Sequence, residues 1–157
     1  MQFQQTENEH VILRPLALPD ADHLRDLFDH PLSLPKTREM IQALLDSDKT
    51  VLAVIDPKEK TPRGLVEISG DDGQTVTIGY RIRTPYRNMH YGSEAVYLLC
   101  RCLCGKHGIK RIKALVKKDN ERSLRLLRHC GFEKTGETGN EEQYVYYSQG
   151  TSSEISE

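Results

Sequence analysis

No stretch of this sequence is apolar for long enough to span a bilayer, and its opening residues, Met1 to Gln5, do not read as a secretory leader. A cytoplasmic protein without a membrane partner is the expectation. The chain also lacks a charge excess, with a formal net charge of −1 across 157 residues, so a general nucleic-acid partner is not expected. It has no C-x-x-C and no H-x-x-x-H pair. Its four cysteines fit a reducing compartment. Cys100, Cys102 and Cys104 alternate along one predicted helix and point to different faces, so they cannot converge on a zinc ion. His23 and His30 flank a short helix as surface or capping residues. No metal is expected. What remains, 37% hydrophobic and 29% charged residues, is the composition of one soluble domain over residues 8–148, ending in a disordered Ser/Glu-rich tail over 149–157.

The pattern predicts a strand over His10–Arg14, then a helix starting at Pro19-Asp20 with Asp20 as N-cap and Leu24, Leu27 and Phe28 at helical spacing. Pro31 and Pro35 interrupt, and a second helix runs from about Thr37. Strands follow at Thr50–Ile55 and Gly64–Ser69, joined by the polar loop Asp56–Arg63. After the turn Gly70–Gly73, Gln74–Arg83 alternates: Val76, Ile78, Tyr80 and Ile82 face one way, and Gly79 leaves room for close approach on the other. A helix over Tyr91–His107, a strand over Arg111–Val116, a helix over Asn120–Cys130 and strands at Phe132–Thr135 and Gln143–Ser148 complete the order β-α-α-β-β-β-α-β-α-β-β. Antiparallel hairpins feeding a βαβ crossover imply an α/β (α+β) fold with a mixed sheet and helices on both faces.

The stretch from Thr84 to Ala95 organises the chain. It leaves a strand, makes a short basic turn and enters the best helical pattern in the sequence. The first N–H groups of a helix have no partner inside it, and Arg87 lies beside them, which suits a phosphate or pyrophosphate.

Two segments resemble the GNAT superfamily of acyl-CoA-dependent N-acetyltransferases. Ile78-Gly79-Tyr80-Arg81-Ile82, then Pro85 to Ala95, is similar to the family's strand and its [Gln/Arg]-x-x-Gly-x-[Gly/Ala] pyrophosphate loop. Asn120-x-x-Ser123 followed by Gly131-Phe132 is similar to the Rim-type branch, which acetylates ribosomal-protein N-termini, as is Leu13-Arg14-Pro15 closing the first strand. The resemblance implies a mostly antiparallel twisted sheet and acetyl-CoA as cosubstrate. It places pyrophosphate on Arg87, Asn88, Met89, His90, Tyr91, Gly92 and Ser93, and pantetheine against the backbone of Ile82, Arg83 and Thr84. Asn120 would lie near that arm, with Arg122 or Arg125 at the outer phosphates. The implied acceptor is an amine, either a protein N-terminus or a small molecule, and a homodimer is left open.

Departures from the family pattern carry consequences. His90 replaces the loop's usual first glycine; the loop then either works in distorted form, is indifferent to an outward ring, or binds CoA less well. Leu127 stands where many members have a tyrosine acid, which leaves Ser123 as proton donor or thiol-positioning group, or simply as a small packing residue. Glu67 and Glu137 are candidate bases acting through water, against their reading as ordinary solvated acids. Tyr144, Tyr146 and Tyr147 either line an acceptor pocket or fill the core. Against the enzyme stands a catalytically weak or inactive CoA-binding or partner-binding module of the same fold.

Overall fold

The computed structural model describes residues 1–148, so the expected tail from Gln149 lies outside the described residues. Eight strands form one sheet: β1 (Thr6–Glu7), β2 (Ile12–Pro15), β3 (Thr50–Ile55), β4 (Pro62–Ser69), β5 (Thr75–Ile82), β6 (Arg111–Lys117), β7 (Glu133–Thr138) and β8 (Glu141–Tyr147). Their order is β1-β2-β3-β4-β5-β6-β8-β7, antiparallel throughout except between β5 and β6. Three helices cover it: α1 (Leu34–Leu45), α2 (Tyr91–Lys106) and α3 (Glu121–His129).

Both faces of the sheet are packed. Leu52, Val54, Val66 and Ile78 bury against α2 and α3 on one side, while Val51, Ala53, Ile55 and Leu65 bury against α1 and the 18–28 segment on the other. That is why β3 reads as an unbroken apolar run: each face of the strand has a layer to meet. Tyr144 is fully buried in the larger cluster and Tyr146 packs against it, so the core claims both tyrosines.

The structure corrects several expected elements. The first helix is only a six-residue 3₁₀ segment, Leu18–His23. Asp20 does not open a longer helix; it reaches back to accept from the Ala17 N–H at 2.9 Å and receives both Arg14 guanidinium nitrogens at 2.9 and 2.7 Å. α1 begins at Leu34, three residues earlier than expected, because Ser33 caps it and Pro35 sits in its first turn, where no N–H is needed. A two-residue strand at Thr6–Glu7 precedes the expected first strand, β4 starts at Pro62, and β7 and β8 meet in a tight hairpin at Gly139 and Asn140.

One irregularity positions the site. β5 stays paired with β4 as far as Ile82 opposite Gly64, and β6 stays paired with β8 as far as Lys117 opposite Glu141. Yet β5 and β6 pair with each other only from Thr75 opposite Arg111 to Ile78 opposite Ala114. Beyond that point the two central strands part.

Candidate active site

The parting strands open a cleft of about 800 Å³, lined on one side by Tyr80, Arg81 and Ile82 of β5 and on the other by Asn120, Arg122, Ser123 and Leu126 at α3. The strand ladder decides which backbone groups face it. Arg83 N–H donates to the Arg63 carbonyl at 2.8 Å, so alternate residues of β5 turn toward β4 and the amides of Tyr80 and Ile82 turn toward the gap. The Arg83 and Thr84 amides, expected to be free, are engaged elsewhere: Thr84 N–H donates to the Asp26 carbonyl at 2.9 Å.

The turn after β5 is strained at two residues. Asn88 has φ 64° and His90 φ 70° with ψ 2°, the left-handed conformation that glycine adopts without cost. His90 is the N-cap of α2, Ser93 Oγ donates to its carbonyl at 3.1 Å, and the helix's first N–H groups open at the cleft. Gly92 lets α2 and α3 approach at the back of the cleft: a Cβ there would lie 3.0 Å from Leu126 Cδ1, a side-chain end that would have to give by a few tenths of an ångström.

This turn is bolted down from both ends. Arg83 grips the Asp26 carboxylate at 2.7 and 3.2 Å. Arg87 donates to Asp29 Oδ1 at 2.9 Å, to the Leu27 carbonyl at 3.2 Å and to the Ile82 carbonyl at 3.3 Å. Beneath the turn, the buried Arg63 guanidinium lies 4.0 Å from the Tyr86 ring centre and 5.6 Å from that of Tyr91, and Tyr91 Oη donates to Asp56 at 2.8 Å. Two aromatic rings bracketing residues 87–90 therefore rest on one buried cation.

Of the expected site residues, Ile82, Arg87, Asn88, His90, Gly92, Ser93, Asn120, Arg122 and Ser123 all line the cleft. Arg83 and Tyr91 brace the turn from behind, and Met89 points into solvent. The two candidate bases lie elsewhere. Glu67, on β4 opposite Gly79 of β5, pairs with Lys49 at 2.9 Å. Glu137, on the sheet's last strand, pairs with Lys134 at 3.0 Å and Lys118 at 3.5 Å, and the Lys134 ammonium holds its carboxyl below the usual range. Neither lines the cleft.

Sequence reasoning missed Phe28, Asp29 and His30, which arrive at the mouth from the non-helical 24–32 segment, and it read Tyr80 as an inward-facing strand residue only. Burial is the cause of a raised Tyr80 pKa, so this phenol holds its proton at neutral pH. The thiols are likewise neutral: burial pushes Cys130, beside the cleft, up to about 11, and raises Cys100, Cys102 and Cys104. Thiolates, the nucleophilic form, are thus scarce here. Among the described residues no group of three or more His, Cys, Asp or Glu is placed to hold a metal, and no helix is long and apolar enough to cross a membrane.

No curated protein matches the sequence. Solved structures do match the fold. An acetyltransferase of the GNAT family from Bacillus anthracis superposes with a TM-score of 0.77 at 18% identity, covering 93% of this chain and 99% of that one. The ribosomal-protein-S5-alanine acetyltransferase of Vibrio fischeri gives 0.70 at 18% identity, covering 93% and 97%. A variant of the spermidine N-acetyltransferase of Vibrio cholerae gives 0.73 at 16% identity, covering 90% and 96%. The family model for an acetyltransferase (GNAT) domain matches residues 10–133, a span that takes in the parted strands, the basic turn and both helices flanking the cleft. The chain belongs to the GNAT family of acetyltransferases.

Proposed function

We propose that the protein is an acetyl-CoA-dependent N-acetyltransferase acting on a primary amine, with the α-amine of a peptide or protein N-terminus as the preferred acceptor. The observation that carries this reading is the parting of β5 and β6 beyond Ile78 and Ala114, next to the open N-terminus of α2. A linear ligand with amides along its length and phosphates at one end fits that arrangement. The Tyr80 and Ile82 amides meet the arm, and the Tyr91, Gly92 and Ser93 amides meet the phosphates. Acetyl-CoA, when bound, supplies the activated thioester. Ser123, at the first turn of α3 and within the cleft, is the candidate proton donor to the departing sulfur.

The acceptor must attack as a neutral amine. An α-amine, with a pKa of about 7.7–8.0, supplies that form at neutral pH far more readily than a lysine ε-amine at about 10.4. The basic lining of the cleft, Arg81, Arg87, Arg122 and Arg125 against the single carboxylate of Asp29, suits the anionic cosubstrate.

Thermal shift with acetyl-CoA, followed by free-thiol release against alanyl and seryl peptides, spermidine and a lysine side-chain peptide, tests the reading. Stabilisation with thiol release for the N-terminal peptides is expected. Stabilisation without release for any amine would favour a CoA-binding module, and no stabilisation would remove both.

Asp29 offers a second check. Its exposed carboxylate holds Arg87, whose charge in turn keeps the Asp29 carboxyl below its ordinary pKa, so Asp29 competes with phosphate for the same guanidinium. Asp29→Asn is expected to tighten acetyl-CoA binding by roughly threefold to fivefold in calorimetry, the scale of an exposed ion pair. Weaker binding would show that the carboxylate positions Arg87 rather than competing for it.

A further inference from the structure

Of the four arginines that line the cleft, Arg81 stands apart by its place on the sheet. It pairs in register with Leu65 of the smaller core, whereas Tyr80 pairs with Val66 of the larger one. Directly opposed residues share a face, so Arg81 points away from α2 and α3. On β6 the same alternation buries Ile112, Ala114 and Val116 in the larger core and leaves Leu115 and Lys117 on Arg81's face. The last parallel couple is Ile78 with Ala114, so Arg81 and Lys117 each lie three residues beyond it. The two cations flank the open gap.

Among the described residues this face of the gap is uncovered. The smaller core draws on β2, β3 and β4 and on no residue of β5 or β6. Leu115 is 53% exposed, and nothing lies within 4 Å of a Cβ built at Gly79. On the other face, Gly92 of α2 and Leu126 of α3 close the back of the cleft. An acceptor therefore reaches a thioester held between the strands from Arg81's side.

Charge then decides which acceptors suit it. The neighbouring carboxylates are already held: Asp26 by Arg83, Asp29 by Arg87 and Glu67 by Lys49. The Arg81 guanidinium has no carboxylate partner among the described residues and lies 4.5 Å from the Phe28 ring centre. Stacking occupies its flat face and leaves its in-plane N–H groups free, in the fork that matches a carboxylate. We propose that Arg81 is a specificity-determining residue for the acceptor, receiving the side-chain carboxylate of an Asp or Glu that directly follows the acetylated residue. The proposal rests on the reading of the protein as an N-terminal acetyltransferase and names the class of N-terminus. With the amine at the thioester, the first side chain falls over the open floor at Gly79 and Leu115. The next residue, about 3.5 Å further along an extended chain, comes within reach of the Arg81 fork. Lys117 adds positive charge across the gap, so a basic residue at that position is repelled.

The test measures thiol release from acetyl-CoA with three peptides that begin Ala-Glu, Ala-Gln and Ala-Lys and are otherwise identical. The wild type is expected to favour Ala-Glu over Ala-Gln by about tenfold in kcat/KM, as for one charge-assisted hydrogen-bonded pair, with Ala-Lys the poorest. Raising the salt concentration should shrink the preference. Arg81→Gln should bring Ala-Glu and Ala-Gln to within about twofold, and Arg81→Glu should place Ala-Lys ahead of Ala-Glu. Calorimetric affinity of Arg81→Gln for acetyl-CoA should stay within about twofold of the wild type's. Equal rates with all three peptides in the wild type, or a preference that survives Arg81→Gln, would overturn the assignment and leave the acetyltransferase reading in place. A loss of acetyl-CoA affinity by about tenfold in Arg81→Gln would overturn it too, by giving the guanidinium to the cosubstrate. No thiol release with any of the peptides would remove the N-terminal acetyltransferase reading and this assignment with it.

Discussion

Gly64→Ala is expected to destabilise the protein by about 3 kcal/mol or more, whereas Gly79→Ala, fifteen residues further along the same hairpin, should stay within about 1 kcal/mol of the wild type. The contrast follows from what a methyl group would meet. At Gly64 an added Cβ would run into the carbonyl oxygen of Arg81 and lie 2.9 Å from Ile82 Cα. Both are backbone atoms of the neighbouring strand, paired in register with Gly64 itself, so no rotamer can move them aside. The strand must shift, and Ile82, whose amide faces the cleft, shifts with it. At Gly79 nothing lies within 4 Å of the added carbon. Urea unfolding of the two variants measures the difference. Equal losses would mean that the sheet yields at Gly64 more easily than its packing indicates.

The second large effect is expected at Arg63. Its side chain is 2% exposed, lies 3.1 Å from the Glu59 carboxylate and 3.9 Å from Asp56, and donates to Thr61 Oγ1 at 2.6 Å. Breaking a buried pair by removing one partner costs on the order of 3–5 kcal/mol. The lower end applies here, because Asp56 keeps the Glu59 and Lys58 N–H groups and the Tyr91 hydroxyl. Those groups, the Glu59 N–H foremost, hold the Asp56 carboxyl below its ordinary pKa; their contribution is complete at neutral pH and lost only as pH falls through the lowered value. Arg63→Met is therefore expected to lower stability by about 3 kcal/mol, and also to weaken acetyl-CoA binding by tenfold or more. It touches no ligand; it removes the platform under Tyr86 and Tyr91. Arg63→Lys should restore charge without the planar stacking surface and recover little of the affinity. Calorimetry below the variants' unfolding temperatures separates the two effects. Affinity within twofold of the wild type in either variant would show that the turn holds its shape unaided.

Much of the fold was legible because the signals were local. Val76, Ile78 and Ile82 alternated as a half-buried strand does, Gly108 and Gly131 stopped their helices in left-handed backbone, and the Asn120 cap marked the start of α3. The 24–32 segment was not legible. Leu24, Leu27 and Phe28 have helical spacing, but Leu24 and Leu27 are buried in the smaller core while Phe28 stacks under Arg81 at 4.5 Å, and Arg83 and Arg87 reach across to Asp26 and Asp29. Partners more than fifty residues away fix that conformation, and no window of sequence contains them. The same reason governs the site. The phosphate turn is contiguous and could be read, whereas the pairing of Glu67 with Lys49 and of Glu137 with Lys118, residues distant in sequence, could not. His90 is intermediate: the sequence marked it as the residue in place of a glycine, and only its φ of 70° shows that it takes the left-handed backbone.

Among the described residues, the four parallel pairs between β5 and β6 are the only ladder joining two half-sheets, one running from β1 to β5 and the other from β6 through β8 to β7. Mechanically this is a seam, stitched at one end and open at the other, with α2 packed on β2, β4 and β5 to one side of it. A molecule that hydrogen-bonds along the open end lengthens the stitching, so occupancy stiffens the whole sheet while leaving the two cores as they were.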